Sequence, residues 1–142
     1  MMRFYLLLVI LLLIALGCKK NQEEQKEKKV LVMAETSEMT KLMIEMYAYN
    51  ESIKQQILNG DLKNSYPERF NNIHSSVLTN PSVRDSSFES FSIQFIEAQK
   101  QVFESSQEEL TINYNNAINA CISCHKVKCV GPIPRIKKLL IK

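Results

Sequence analysis

The sequence predicts an all-α domain, folded as an antiparallel four-helix bundle whose chemistry-bearing residues sit on the C-terminal helix. Three observations predict it. Apolar residues recur with three-four spacing in four separate segments downstream of residue 35. Glycine is scarce, with three in 142 residues, so the turns that a β fold requires lack their usual residue. No alternating apolar-polar run of comparable length competes with the helical stripes.

In the first segment Met39, Leu42, Met43, Met46, Ile53 and Ile57 fall on one helical face, with Ser37 as N-cap and Asn59-Gly60 as the stop. The second is short: Phe70, Ile73, His74 and Val77 share a face after Pro67, and Asn80-Pro81 ends it. The third keeps a three-four alternation through Phe88, Phe91, Phe95, Ala98 and Val102. The fourth runs Leu110, Tyr114, Ala117, Ile118, Cys121, Cys124 and His125, and Gly131, Pro132 and Pro134 block its continuation. Short polar links between such helices favour antiparallel neighbours.

Upstream, Met1 to Arg3 form a basic start and Phe4 to Leu16 are apolar without a break. Thirteen residues are too few for a membrane-spanning helix, which needs about 20, but they suit the core of a signal peptide. The ending Ile14-Ala15-Leu16-Gly17-Cys18 resembles a bacterial lipobox, which implies that Cys18 carries the lipid, although Ala15 stands where leucine is usual. Residues 19–29 hold no apolar side chain and read as a solvated tether. The expected organisation is a lipoprotein signal peptide at 1–17, a flexible tether at 18–30, the helical domain at 31–131 and a basic tail at 132–142. Export would place the remaining cysteines in an oxidising compartment, with the protein lipid-anchored in the bacterial envelope and facing the periplasm or the outer surface. The net charge of +3 is mild and shows no basic stripe interleaved with aromatics, so no nucleic-acid partner is expected.

Cys121-Ile122-Ser123-Cys124-His125 is a C-x-x-C-H sequence, the attachment signature of c-type haem. Cysteines one helical turn apart can form thioethers with both vinyl groups of one porphyrin, and the adjacent histidine becomes the proximal iron ligand. Three rival uses of these residues are weaker. A thioredoxin-like C-x-x-C opens a helix in a βαβ unit, whereas this one closes a helix. A zinc site from Cys121, Cys124 and Cys129 with His125 or His74 requires an awkward Cys-His adjacency. A disulfide across one helical turn is strained.

The motif lies near the C-terminus: seventeen residues follow His125, and none is methionine. An axial methionine must therefore come from upstream, where Met33, Met39, Met43 and Met46 follow the signal segment. In an antiparallel bundle the start of the first helix lies level with the end of the fourth. Met43 is the favoured distal ligand, with Met39 second and His74 on the second segment as competitor. Methionine at helical spacing also serves simply as core filling. Cys129 has no assigned role.

Four helices with C-x-x-C-H on the last resemble the cytochrome c-prime family and its four-helix b-type relative, over about residues 35–130. The resemblance implies thioether attachment at Cys121 and Cys124, proximal ligation by His125 and distal contact from the first helix. The stretches SEMTKLMIEMYAYNESIK from Ser37, CISCH and GPIPRIKKL also look like small bacterial cytochromes of lipoprotein type. The chain departs from c-prime at Lys128 and Cys129, where that family usually has an aromatic residue and an arginine. Its helix-1 methionines stand where gas-binding members have an apolar, non-ligating side chain.

The expected function is electron transfer by a tethered monohaem cytochrome with one covalent haem c, an unidentified redox partner and homodimerisation left open. The alternative is a five-coordinate protein that binds nitric oxide or carbon monoxide. No Ser-His-Asp set, useful carboxylate pair or phosphate-binding loop is present, so no enzyme activity is expected.

Overall fold

The computed structural model describes residues 35–142; the expected signal segment, Cys18, the tether and Met33 lie outside the described residues. Everything described is helix, turn or loop, so the domain is all-α. Among the described residues no helix is long and apolar enough to cross a membrane.

Three long helices make the frame: α1 (Glu38–Leu58), α2 (Ser86–Glu104) and α3 (Leu110–Lys128). Helix α1 starts where Ser37 accepts a hydrogen bond from the Thr40 amide at 3.2 Å, as expected of an N-cap serine. It stops at Asn59, and Gly60 takes the left-handed conformation (φ 70°) that lets the chain turn away. Helix α2 begins at Asp85, whose carboxylate accepts from the Phe88 amide at 2.9 Å. The Lys128 ammonium, at the far end of α3, reaches the same carboxylate at 2.6 Å, so α2 and α3 run antiparallel. Lys128 and the cap hydrogen bonds together hold the Asp85 carboxyl well below its ordinary range.

The second expected helix takes a different form. Residues Glu68–His74 are a 3-10 helix, the chain then bends, and Val77 is exposed rather than sharing the buried face of Phe70 and Ile73. Asn71, Asn72, Ser75 and Ser76 are poor helix-interior residues, and the open carbonyls at its end find a partner elsewhere. The Arg84 guanidinium donates to the carbonyls of Ile73 at 3.3 Å, of His74, and of Ser76 at 2.7 Å. Val77 is then pinned to the start of α1, its carbonyl accepting from the Met39 amide at 3.0 Å and its amide donating to Glu38 at 3.0 Å.

Residues 132–142, expected as a basic tail beyond the helical domain, fold onto it instead. A short helix α4 (Ile133–Ile136) and a 3-10 turn (Lys137–Leu139) bury Ile136 and Leu139 against Ile53, Ile57 and Tyr114. Asn115 brackets Ile141 with two 2.9 Å hydrogen bonds, one to its amide and one to its carbonyl. Lys54 of α1 donates to the carbonyls of Lys138 and Leu140 at 2.8 and 2.9 Å. These bonds satisfy backbone groups that a free tail would leave to water.

Two packed clusters fill the interior. One joins Met39, Leu42 and Met46 of α1 to Phe70, Ile73, Phe88, Phe95 and Ala120. The other joins the C-terminal half of α1 to α3 and the returning segment. Tyr114, fully buried, ties α3 to α1 by donating to the Asn50 carbonyl at 2.9 Å.

Candidate functional site

A cleft of about 210 Å³, open to solvent on one side, lies where the first turns of α1 meet the end of α3. Cys121, Cys124 and His125 form its α3 wall. Met43, Met46 and Tyr47, with Asn50 deeper in, form its α1 wall. Phe91 and Phe95 of α2 and Ile73 contribute rings and methyls, and Pro132, Arg135, Ile136 and Leu139 close the remaining side. The lining is overwhelmingly apolar.

The α3 wall follows from helical spacing. Residues 121, 124 and 125 lie within one turn, so three side chains of chemical interest emerge side by side. His125 is oriented by the end of its own helix: its Nδ1 lies 2.9 Å from the Cys129 carbonyl oxygen. A carbonyl can only accept, so Nδ1 carries the proton and Nε2 keeps its lone pair. Metal-binding histidines are commonly held this way, with one ring nitrogen fixed by a carbonyl and the other presented to the ion.

The three described cysteines, Cys121, Cys124 and Cys129, are free thiols, and Cys129 is exposed. Burial pushes the Cys121 thiol up to about 12, with the neighbouring Cys124 adding to the shift, and burial also raises Cys124 against the pull of Lys128. Thiols this reluctant to ionise are poor redox nucleophiles. Among the described residues no group of three or more His, Cys, Asp or Glu side chains is arranged to hold a metal ion, and a structural zinc site needs such a group.

The structure separates the candidate ligands for the opposite side. Met43, half-buried, faces the same cleft as His125, as does Met46. Met39 does not line it; that side chain is packed in the core between α1 and α2. His74 does not line it either. Its Nδ1 lies 3.1 Å from Ser92 Oγ, with the Glu89 carboxylate 3.6 Å away. Ser92 spends its own proton on the Glu89 carbonyl at 2.9 Å, so the His74 ring donates to Ser92.

Arg135, Tyr47 and Asn50 were not legible as site residues. Asn50 is buried at the cleft, donates to the Met46 carbonyl at 2.9 Å, and leaves its Oδ1 without a partner. Arg135 belongs to the segment read as a tail. The signal for that segment was Ile136 and Leu139 at three-residue spacing among lysines, which marks one buried face.

The residues fit a haem. Two thiols one turn apart, an imidazole with a free Nε2 and a thioether across an apolar cleft form the donor set that a covalently attached iron porphyrin requires. The chain matches no family model, no curated protein and no solved structure.

Proposed function

We propose that this chain is a monohaem c-type cytochrome that transfers electrons, with the haem joined to Cys121 and Cys124 and held by His125. The observation that carries the reading is the shared cleft: the C-x-x-C-H residues of α3 open onto the same apolar cavity as Met43 of α1. When bound, the haem supplies a one-electron ferric/ferrous couple. The chain supplies the rest. His125 would offer Nε2, because the Cys129 carbonyl holds Nδ1, and Met43, on the opposite wall of the cleft, would offer its thioether as the second donor. Phe91, Phe95 and Ile73 would limit water around the bound group, which would disfavour its more highly charged ferric state. The open side of the cleft would leave the bound group accessible to a redox partner.

The finer architecture belongs to the same reading: α1, α2 and α3 are three members of a four-helix bundle, and Glu68–His74 is its shortened second member. Export and lipid attachment at Cys18 rest on residues 1–30 and would keep the domain near a membrane-bound partner by effective concentration. No enzymatic step and no nucleic-acid partner belong to this reading.

One experiment decides it. The chain is expressed with a haem-attachment system, purified under denaturing conditions and assayed as a pyridine haemochrome. Haem that stays with the polypeptide, and is lost in Cys121→Ala/Cys124→Ala, is expected; a colourless wild-type chain would overturn the reading. The alternative, five-coordinate binding of a small gas, draws on the apolar Met46 and Phe95 beside Met43. A native ferrous protein that is high-spin and binds carbon monoxide at once would favour it.

A further inference from the structure

We propose that Arg135 is the anion-binding residue of the cleft and holds a propionate carboxylate of the haem, an assignment that rests on the haem reading above. Arg135 is the one arginine, lysine, aspartate or glutamate in the lining of a largely apolar cavity. No aspartate or glutamate lines the cleft, and among the described residues the guanidinium makes neither a hydrogen bond nor an ion pair. The neighbouring cation at the end of α3, Lys128, is already committed to Asp85.

The position of Arg135 is built. Ile136, the next residue, is buried in the core and anchors the turn. The guanidinium carbon stacks 4.1 Å from the centroid of the Tyr47 ring, itself part of the cleft wall one turn beyond Met43. Stacking uses the face of the guanidinium and leaves its in-plane N–H donors free at the rim. A planar fork of donors is matched by a carboxylate, which it binds through two parallel hydrogen bonds.

The cleft thus selects a ligand with a broad apolar body and a carboxylate at its edge. A haem has that form, since its two propionates project from one side of an apolar ring. Arg135 would neutralise one of them at the mouth of the cleft. The C-terminal segment acquires a purpose by this assignment: it delivers a cation to a cleft whose helical walls supply none.

The test uses the full chain matured with its haem, as wild type, Arg135→Gln and Arg135→Lys, read by resonance Raman spectroscopy in the propionate-bending region. Arg135→Gln is expected to shift a propionate band, and Arg135→Lys, which keeps the charge without the fork, to shift it less. Identical bands in all three proteins would overturn the assignment while leaving the haem reading intact. If Arg135→Gln does not accumulate, the lysine variant alone decides: a band unchanged from wild type overturns the assignment. A wild-type chain without a haemochrome signal would remove both proposals together, and so is distinguished from failure of this one.

Discussion

Leu139 tests whether the C-terminal segment is a wall of the domain or a tail laid beside it. Its side chain is 3% exposed and packs in the cluster that holds Ile53, Ile57 and Tyr114. Leu139→Ala deletes three buried carbons. At about 0.8 kcal/mol for each buried methylene-sized group, the transfer loss is about 2.5 kcal/mol. The cavity left behind adds little, because Leu139 sits in a three-residue turn that can settle inward. The expected destabilisation is therefore about 2.5 to 3 kcal/mol, near the lower end for a buried leucine. Guanidinium unfolding of the haem-loaded chain measures it as a lowered midpoint with an unchanged slope. Lys138→Ala, which removes an exposed side chain and keeps the carbonyl that Lys54 binds, should change stability by less than about 0.5 kcal/mol. A Leu139→Ala loss below about 1 kcal/mol would refute the packed segment, and with it the fourth wall of the cleft.

On the haem reading, Met43→Ala should turn a low-spin ferrous spectrum into one that binds carbon monoxide, with little loss of stability because Met43 is half-buried; Met39→Ala should leave the spectrum unchanged and cost about 2 to 4 kcal/mol in the same unfolding assay. Asp85→Asn keeps an N-cap acceptor but removes the charge facing Lys128. Because the folded-state pKa of Asp85 lies below its ordinary 3.8, the stabilisation is complete above that pH and is lost as pH falls, so the melting-temperature gap between wild type and Asp85→Asn should be full at neutral pH and shrink below about pH 4. In the haem-free chain at mildly alkaline pH, a thiol-specific reagent should label exposed Cys129 first and Cys121 last, since burial keeps the Cys121 thiol protonated. Equal labelling rates would contradict the partly buried placement of Cys121.

What was legible in the sequence was what local chemistry decides. Ser37 and the Asn59-Gly60 pair bound α1 because capping is settled within four residues. The C-x-x-C-H residues share a wall because helical spacing alone dictates it. Elements decided at a distance were not legible. The shape of residues 68–77 depends on Arg84, which takes the carbonyls that another helical turn would have used, and on backbone pairing between Val77 and Met39. Periodicity placed Phe91 on the core stripe of α2, yet it lines the cleft, because a stripe shows which residues are covered and not what covers them. Met39 and Met43 illustrate the same limit: spacing put both on an apolar face, and only the packing of α2 against one side of that face assigns Met39 to the core.

The punctuation after the motif does more than end a helix. In a continued α3 the Cys129 carbonyl would accept the amide of residue 133 and be lost to other partners. Pro132 has no amide to continue the ladder, and the Ile133 amide turns to the Val130 carbonyl at 3.1 Å instead. The Cys129 carbonyl is thereby released to the His125 ring, which fixes the tautomer that leaves Nε2 available. The same break at Gly131-Pro132 redirects the chain back across the cleft, bringing Ile136 and Leu139 to its side and Arg135 to its rim. Helix termination, histidine orientation and closure of the cavity thus depend on one short stretch, which accounts for the motif standing at the end of α3 and not in its middle.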